Sequence, residues 1–427
     1  MKLPYAAVEF TKNGHFADPG QVTAALAMLD RVQATDVLVL AHGWNNDIGA
    51  AERLYTRLSD NLADLIPPGS TARPAVIGIL WPSVRWADED QIAGGGVSMG
   101  DDQTTLTSAI AESVDDSDLA ARLTELAGRL DTAEGRAAFL EATRDLLPAP
   151  VDSGGADEDP VPAALRTGEA EGVFDAVRVA ASDTGDDLPD TGAAGGGAPG
   201  VAPDLLGDET SGAGLFDQSW SALGRQVLNT VTYYTMKARA GDVGANGVAP
   251  LVDQINAAAP NRRIHLAGHS FGARVVSAAA TNISTPIESL TLLQGAFSHY
   301  GFTANFAGTG KDGAFRGALT NGRIHGPVVI THTHNDQAVR VAYATASRLA
   351  GQAGASFGDR TDLYGGIGAN GSQGTNAAEL VLGDTASDYL FQAGTVYNLN
   401  ADHTIAGHSD VTNPAVANAL GHSMGLL

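Results

Sequence analysis

The chain has 427 residues, 44% of them hydrophobic, enough to bury one large core or two ordinary ones and too many for a wholly disordered polypeptide. It contains no cysteine, which excludes disulfides, zinc–thiolate sites, iron–sulfur clusters and thiol nucleophiles and leaves Ser, His, Asp and Glu to carry chemistry. The formal charge of −24 is concentrated in residues 88–217, which hold 29 acidic side chains against six arginines, while the rest of the chain is close to neutral. An acidic segment on a neutral body repels phosphate backbones and anionic membrane surfaces, so no nucleic-acid partner is expected. No uncharged apolar run is long enough to predict a membrane span, and MKLPYAAVEFTKNGHF lacks the pattern of a signal peptide. A cytoplasmic location is the expectation, with leaderless export left open.

In chain order, TDVLVLAHG (35–43) predicts a buried strand ending in a glycine turn, and residues 49–66 follow with apolar positions at helical spacing. PAVIGILWP (74–82) predicts a second strand, stopped by Pro82. Residues 88–217 then break the pattern and are expected to form an insertion between two parts of one body, 1–87 and 218–427. Within it, 104–148 predicts two or three polar helices with Asp118 and Asp131 as N-caps, whereas 149–217, rich in Gly, Ala, Pro and Asp, is expected to be flexible. Alternation then resumes: helices at 220–240 and 247–258, strand 262–268, helix 273–282, strands 288–296 and 326–333, helix 337–351, strand 393–399 and a short helix from Pro414. Apolar strands separated by helices predict an α/β fold, a doubly wound, mostly parallel sheet covered on both faces.

The pattern G-x-S-x-G occurs at Ser98, Ser270, Ser356 and Ser423. It matters where a strand runs into a helix through a turn so sharp that only small flanking residues fit and the serine projects above the sheet. Only Ser270 has a strand (RRIHLA) entering and a small-residue helix (ARVVSAAA) leaving, so it is the candidate nucleophile. A serine needs a base and an orienting acid. Asp336, after strand GPVVITHT, stands where the acid is expected, and His408, after the last strand, where the base is expected; His403 competes with it in the same loop. Two N–H donors are required for a developing oxyanion, and the candidates are those of Phe271 and of Trp44 in AHGWNND. His42, Gly43, His269, Phe297 and His299 are candidate substrate-binding residues, with Trp81 and Tyr300 as further candidates for an acyl pocket.

The strings VLVLAHGWNN, GILWPS, HLAGHSFGARVV, LLQGAFSHYGF, THTHNDQAV and GHSD together resemble a serine esterase or lipase-like branch of the α/β-hydrolase superfamily, over roughly residues 35–86 and 218–420. The resemblance implies that Ser270, Asp336 and His408 form a catalytic triad cleaving a small-molecule or lipid-like carboxylic ester through an acyl-enzyme. It implies Trp44 and Phe271 as backbone donors and no cofactor. The acidic insertion, placed upstream of the nucleophile, is expected to act as a lid or cap. Two alternatives remain: a metal-dependent hydrolase built on His332, His334 and Asp336, whose alternation on a strand would put both imidazoles on one face, and a non-catalytic hydrolase-fold protein binding a basic partner. Protein partners are otherwise unknown.

Overall fold

The computed structural model describes residues 1–44, 46–83, 102–149, 161–183, 219–349, 360 and 363–427. From the amino terminus, β1 (Tyr5–Glu9), α1 (Pro19–Arg31), β2 (Asp36–Ala41), α2 (Ile48–Leu65) and β3 (Pro74–Leu80) alternate. The chain then forms α3 (Asp102–Ser113), α4 (Ser117–Ala127), α5 (Ala133–Arg144), α6 (Ala163–Thr167) and α7 (Ala170–Asp183). A long helix α8 (Trp220–Val243) passes through a π turn at Gly244–Val248 into α9 (Ala249–Ala258) and returns the chain to the sheet. There follow β4 (Arg263–His269), α10 (Phe271–Asn282), β5 (Ser289–Leu293), α11 (Arg316–Thr320), β6 (Val328–His332), α12 (Gln337–Leu349), α13 (Ile367–Asn370), β7 (Ala378–Val381), β8 (Val396–Asn400) and α14 (Pro414–Ser423).

The strands form one eight-stranded sheet in the order β1-β3-β2-β4-β5-β6-β8-β7, and every neighbouring pair is parallel. The period-2 alternation of strand side chains sorts the core into two layers. Val37, Val39, Ile77 and Ile79 join one cluster with the buried faces of α1, α8, α9 and α10, while Leu38, Leu40 and Val76 join a second with α2 and α14. In α2 the buried positions Ala51, Tyr55, Leu58, Ser59 and Leu62 recur at helical spacing, and the Asp47 side chain caps its start by accepting from the Ala50 N–H. Strands buried on both faces read as continuous apolar runs, which is why β2, β3, β4, β5, β6 and β8 stand out in the sequence. The half-buried β1 and the exposed edge strand β7 were not among the expected elements, nor was α1.

Three helices lie between residues 102 and 144, but their caps differ from the expected ones. Asp116, not Asp118, caps α4 by accepting from the Asp118 and Leu119 N–H groups, and Thr132, not Asp131, caps α5 by accepting from Gly135. Two further helices lie within 149–217: α6 and α7 bury Leu165, Val173, Phe174 and Val177, an apolar stripe that repays the ordering of a polar stretch. Residues 150–160 and 184–217 of that segment lie outside the described residues. At the amino ends of the central strands, Asp36, His265 and Ser289 form a buried polar array, with His265 Nδ1 2.9 Å from Ser289 Oγ and Nε2 3.3 Å from Asp36 Oδ1. Burial alone would raise the Asp36 carboxyl, but hydrogen bonds from His265 and Thr35 and the charge of Arg263 hold it below the usual carboxylate range. Among the described residues no helix is long and apolar enough to cross a membrane.

Candidate active site

Because the strands are parallel, all their carboxyl ends open on one rim. After β2 the chain moves to β3 on one side, then crosses back to β4 on the other, so the ends of β2 and β4 flank a point where the order of connection reverses. Ligands in open α/β sheets bind in the crevice outside such a point. Residues 42–44 leave β2 there, and Ser270 follows β4 there.

Ser270 has φ 57° and ψ −123°, a conformation rare for a residue with a side chain. The flanking glycines make the turn possible. A Cβ on Gly268 would overlap the Gly272 carbonyl, and one on Gly272 would overlap the Ala41 carbonyl at the end of β2. The turn is held by its main chain: the Ser270 N–H donates to Leu293 O at 3.1 Å, and the Ser270 carbonyl accepts from Ala273 and Ala296. Gly43 lies against the serine so closely that an added Cβ would sit 2.7 Å from Ser270 Cβ.

His408 bridges the serine and the acid. Its Nε2 is 2.8 Å from Ser270 Oγ and its Nδ1 is 2.8 Å from Asp336 Oδ2. A carboxylate accepts, so Nδ1 carries the proton and Nε2 presents its lone pair to the serine hydroxyl. Asp336 is fully buried between β6 and α12, and its Oδ1 accepts from the Val339 N–H at 3.0 Å. His403, the competing base, is exposed and makes none of these contacts. Among the other serines in a G-x-S-x-G pattern, Ser423 is buried at the end of α14, donating to Leu420 O, while Ser98 and Ser356 lie outside the described residues.

The imidazole of His269, buried beside the serine, donates from Nε2 to the His408 carbonyl at 2.9 Å, with the two rings 4.9 Å apart. Burial, and then the neighbouring His408, pushes its pKa down to about 3, so it is neutral. The nucleophile strand thus grips the loop that carries His408. His42 is also enclosed. Its ring stacks on Trp81 at 5.6 Å, its Nδ1 donates to Gly43 O at 2.8 Å, and burial pushes its pKa down to about 4. Trp81 is fully buried and returns a hydrogen bond from its indole to His42 O at 2.9 Å, and the Tyr55 hydroxyl accepts from the His42 N–H. These contacts fix the loop that ends in Trp44. The main-chain N–H groups of Trp44 and Phe271 have no acceptor among the described residues, and Phe271 opens α10, where first-turn donors lack helical partners.

The other expected substrate contacts lie deeper. Phe297 is fully buried in an aromatic cluster with Phe302 and Phe315, and His299 is fully buried beside Tyr300 and Asn370. The side chains expected to form a metal site do not converge. β6 ends at His332, so strand alternation does not extend to His334. His332 is buried with Glu379 at 4.0 Å, and His334 is exposed and bound to Asp402 at 3.2 Å. Asp336 faces His408. No group of three or more His, Asp or Glu side chains among the described residues could hold a metal ion.

One residue absent from the expectations belongs to this site. Gln294, the first residue after β5, places its amide nitrogen 3.4 Å from Asp336 Oδ2. Its signal in the sequence is only a polar side chain directly behind a buried strand.

No protein-family model, no curated protein and no solved structure matches the chain.

Proposed function

We propose that this protein is a serine hydrolase that cleaves a small-molecule or lipid-like carboxylic ester, on an α/β-hydrolase fold. The observation that carries the reading is His408 bound at 2.8 Å to both Ser270 Oγ and Asp336 Oδ2, with the serine on a strained strand-to-helix turn. In the first half-reaction His408 Nε2 takes the hydroxyl proton as Oγ attacks the ester carbonyl carbon. The tetrahedral oxyanion is met by the N–H groups of Phe271 and Trp44. Its collapse breaks the acyl–oxygen bond, His408 gives the proton to the leaving alcohol, and the acyl group stays on Ser270. Water then attacks the acyl-enzyme with His408 again as base, releasing the acid and restoring the serine. Asp336 holds the imidazole tautomer and balances the imidazolium.

In this reading the helices of the acidic segment form a cap. They leave the sheet after β3, at the same rim as Ser270. α3, α5 and α7 pack on α8, and α7 also packs on α12, the helix that starts one residue after Asp336. Arg239 of α8 joins cap to body, donating to Pro82 O at 2.8 Å and to Asp115 at 2.9 Å.

Covalent labelling with a fluorophosphonate tests the assignment. A single adduct on Ser270 in the folded protein, and none in Ser270→Ala, is expected, together with a fall of about 10³-fold or more in turnover of nitrophenyl esters in the variant. Equal labelling or equal turnover in wild type and variant would overturn it.

A further inference from the structure

Gln294 is fully buried, and its N–H, amide nitrogen and amide oxygen are each hydrogen-bonded. Its N–H donates to Thr331 Oγ1 at 3.1 Å, and the Thr331 hydroxyl donates back to Oε1 at 2.9 Å. Its Nε2 donates to Gly368 O at 3.1 Å and to Asp336 Oδ2 at 3.4 Å. The amide cannot be reversed without setting its oxygen against two acceptors, so Thr331 and Gly368 fix the N–H groups toward the carboxylate. The residue adopts φ 46°, a left-handed conformation with a cost of order 1 kcal/mol or more for a side chain bearing a Cβ. That cost is met at a particular place. Leu293, its neighbour, accepts from the Ser270 N–H, and Ala296 donates to the Ser270 carbonyl, so the turn 293–296 clasps the serine.

We propose that Gln294 is a positioning residue that couples the nucleophile turn to the acid, holding Asp336 in register with His408 and sharing the carboxylate oxygen that binds the imidazole. The proposal rests on the serine-hydrolase reading above. Oδ2 of Asp336 accepts from both the Gln294 amide and His408 Nδ1. A carboxylate oxygen divided between two donors balances an imidazolium less strongly than one serving a single donor. Removing the amide has two separable effects. The carboxylate loses a constraint on its orientation, which slows the chemical step, and its remaining negative charge falls more fully on His408, which moves the acid limb of the pH–rate profile upward. A residue needed only for packing would produce neither the pH displacement nor a selective loss in kcat.

The test compares wild type with Gln294→Met, which keeps the side-chain length and removes its donor, and with Thr331→Val, which keeps the amide and removes the hydroxyl that orients it. Steady-state kinetics on a nitrophenyl ester and the rate of fluorophosphonate labelling are measured across pH. For Gln294→Met the expected result is a fall of about 10- to 100-fold in kcat and labelling rate, an almost unchanged KM and an acid limb displaced to higher pH. Thr331→Val should show the same changes at smaller size, and it decides the matter if Gln294→Met does not fold. Normal labelling of Ser270 with an unmoved acid limb in the folded variants would overturn the inference alone. Absence of labelling in the wild-type protein would overturn the hydrolase reading and the inference with it.

Discussion

A serine at φ 57° and ψ −123° costs the fold roughly 1–3 kcal/mol, and the residues around it show how that cost is offset. Three main-chain hydrogen bonds fasten the turn, and the glycines at 268 and 272 let β4, α10 and the end of β2 approach where a methyl group would overlap backbone. Gly43 shows the same logic from the opposite loop. Gly43→Ala would place a carbon 2.7 Å from Ser270 Cβ, so either the serine or the Trp44 loop must shift. The expected outcome is a loss of about 10- to 100-fold in kcat with thermal stability little changed, measured by ester turnover and circular dichroism on the same samples. Ser270, Asp336 and His408 could be singled out from order and spacing, because each directly follows a strand or occupies the loop behind one. His269 and Gln294 could not be given their roles that way. Each acts through a contact with a loop that follows a different strand, and for Gln294 the contact depends on a left-handed backbone that no pattern of residue types announces.

Among the elements, the helices of the acidic segment are tied to the body by apolar packing as well as by the Arg239–Asp115 ion pair. Leu106, Leu130 and Phe139 press on α8 at Gly224, where an added Cβ would come within 2.6 Å of Leu130. Arg136, almost buried, lies 3.8 Å above the Trp220 ring while binding Glu171 at 2.6 Å. Phe139→Ala should destabilise this helical layer by about 3–5 kcal/mol. Limited proteolysis is expected to cut within 102–183 faster in the variant while fluorophosphonate still reacts at Ser270; unchanged cleavage would mean that the layer does not depend on this contact. Most strands of the sheet could be read as apolar runs closed by Gly or Pro. The missed elements are those for which burial is weak or interrupted. β1 has one fully buried residue, β7 is four residues at an exposed edge, and α7 carries its stripe of Val173, Phe174 and Val177 inside a tract of Gly, Asp and Pro.

Over the whole molecule, buried histidines tie stability to pH, and burial also lowers the pKa of His265. Burial pushes the pKa of His42 to about 4, of His269 to about 3 and of His332 to about 4, the last also lowered by Arg360. The unfolded chain binds these protons near pH 6.5, so it takes up more protons than the folded chain between that pH and about 3–4. Stability is therefore fully present above about pH 6.5 and lost as the pH falls, by up to about 1.4 kcal/mol per pH unit for each histidine. Urea midpoints measured at pH 7.0, 5.5 and 4.5 should decline in that order, and a flat series would contradict the assignment of neutral, buried imidazoles. The all-parallel sheet divides labour between its two ends. Asp36, His265 and Ser289 lock the amino end, whereas among the described residues the chain leaves each strand on the side of Ser270. On the serine-hydrolase reading, lengthening, trimming or exchanging those loops would reshape what reaches the serine while the locked end goes on holding the scaffold, so selectivity and robustness would be free to drift apart in descendants of this chain.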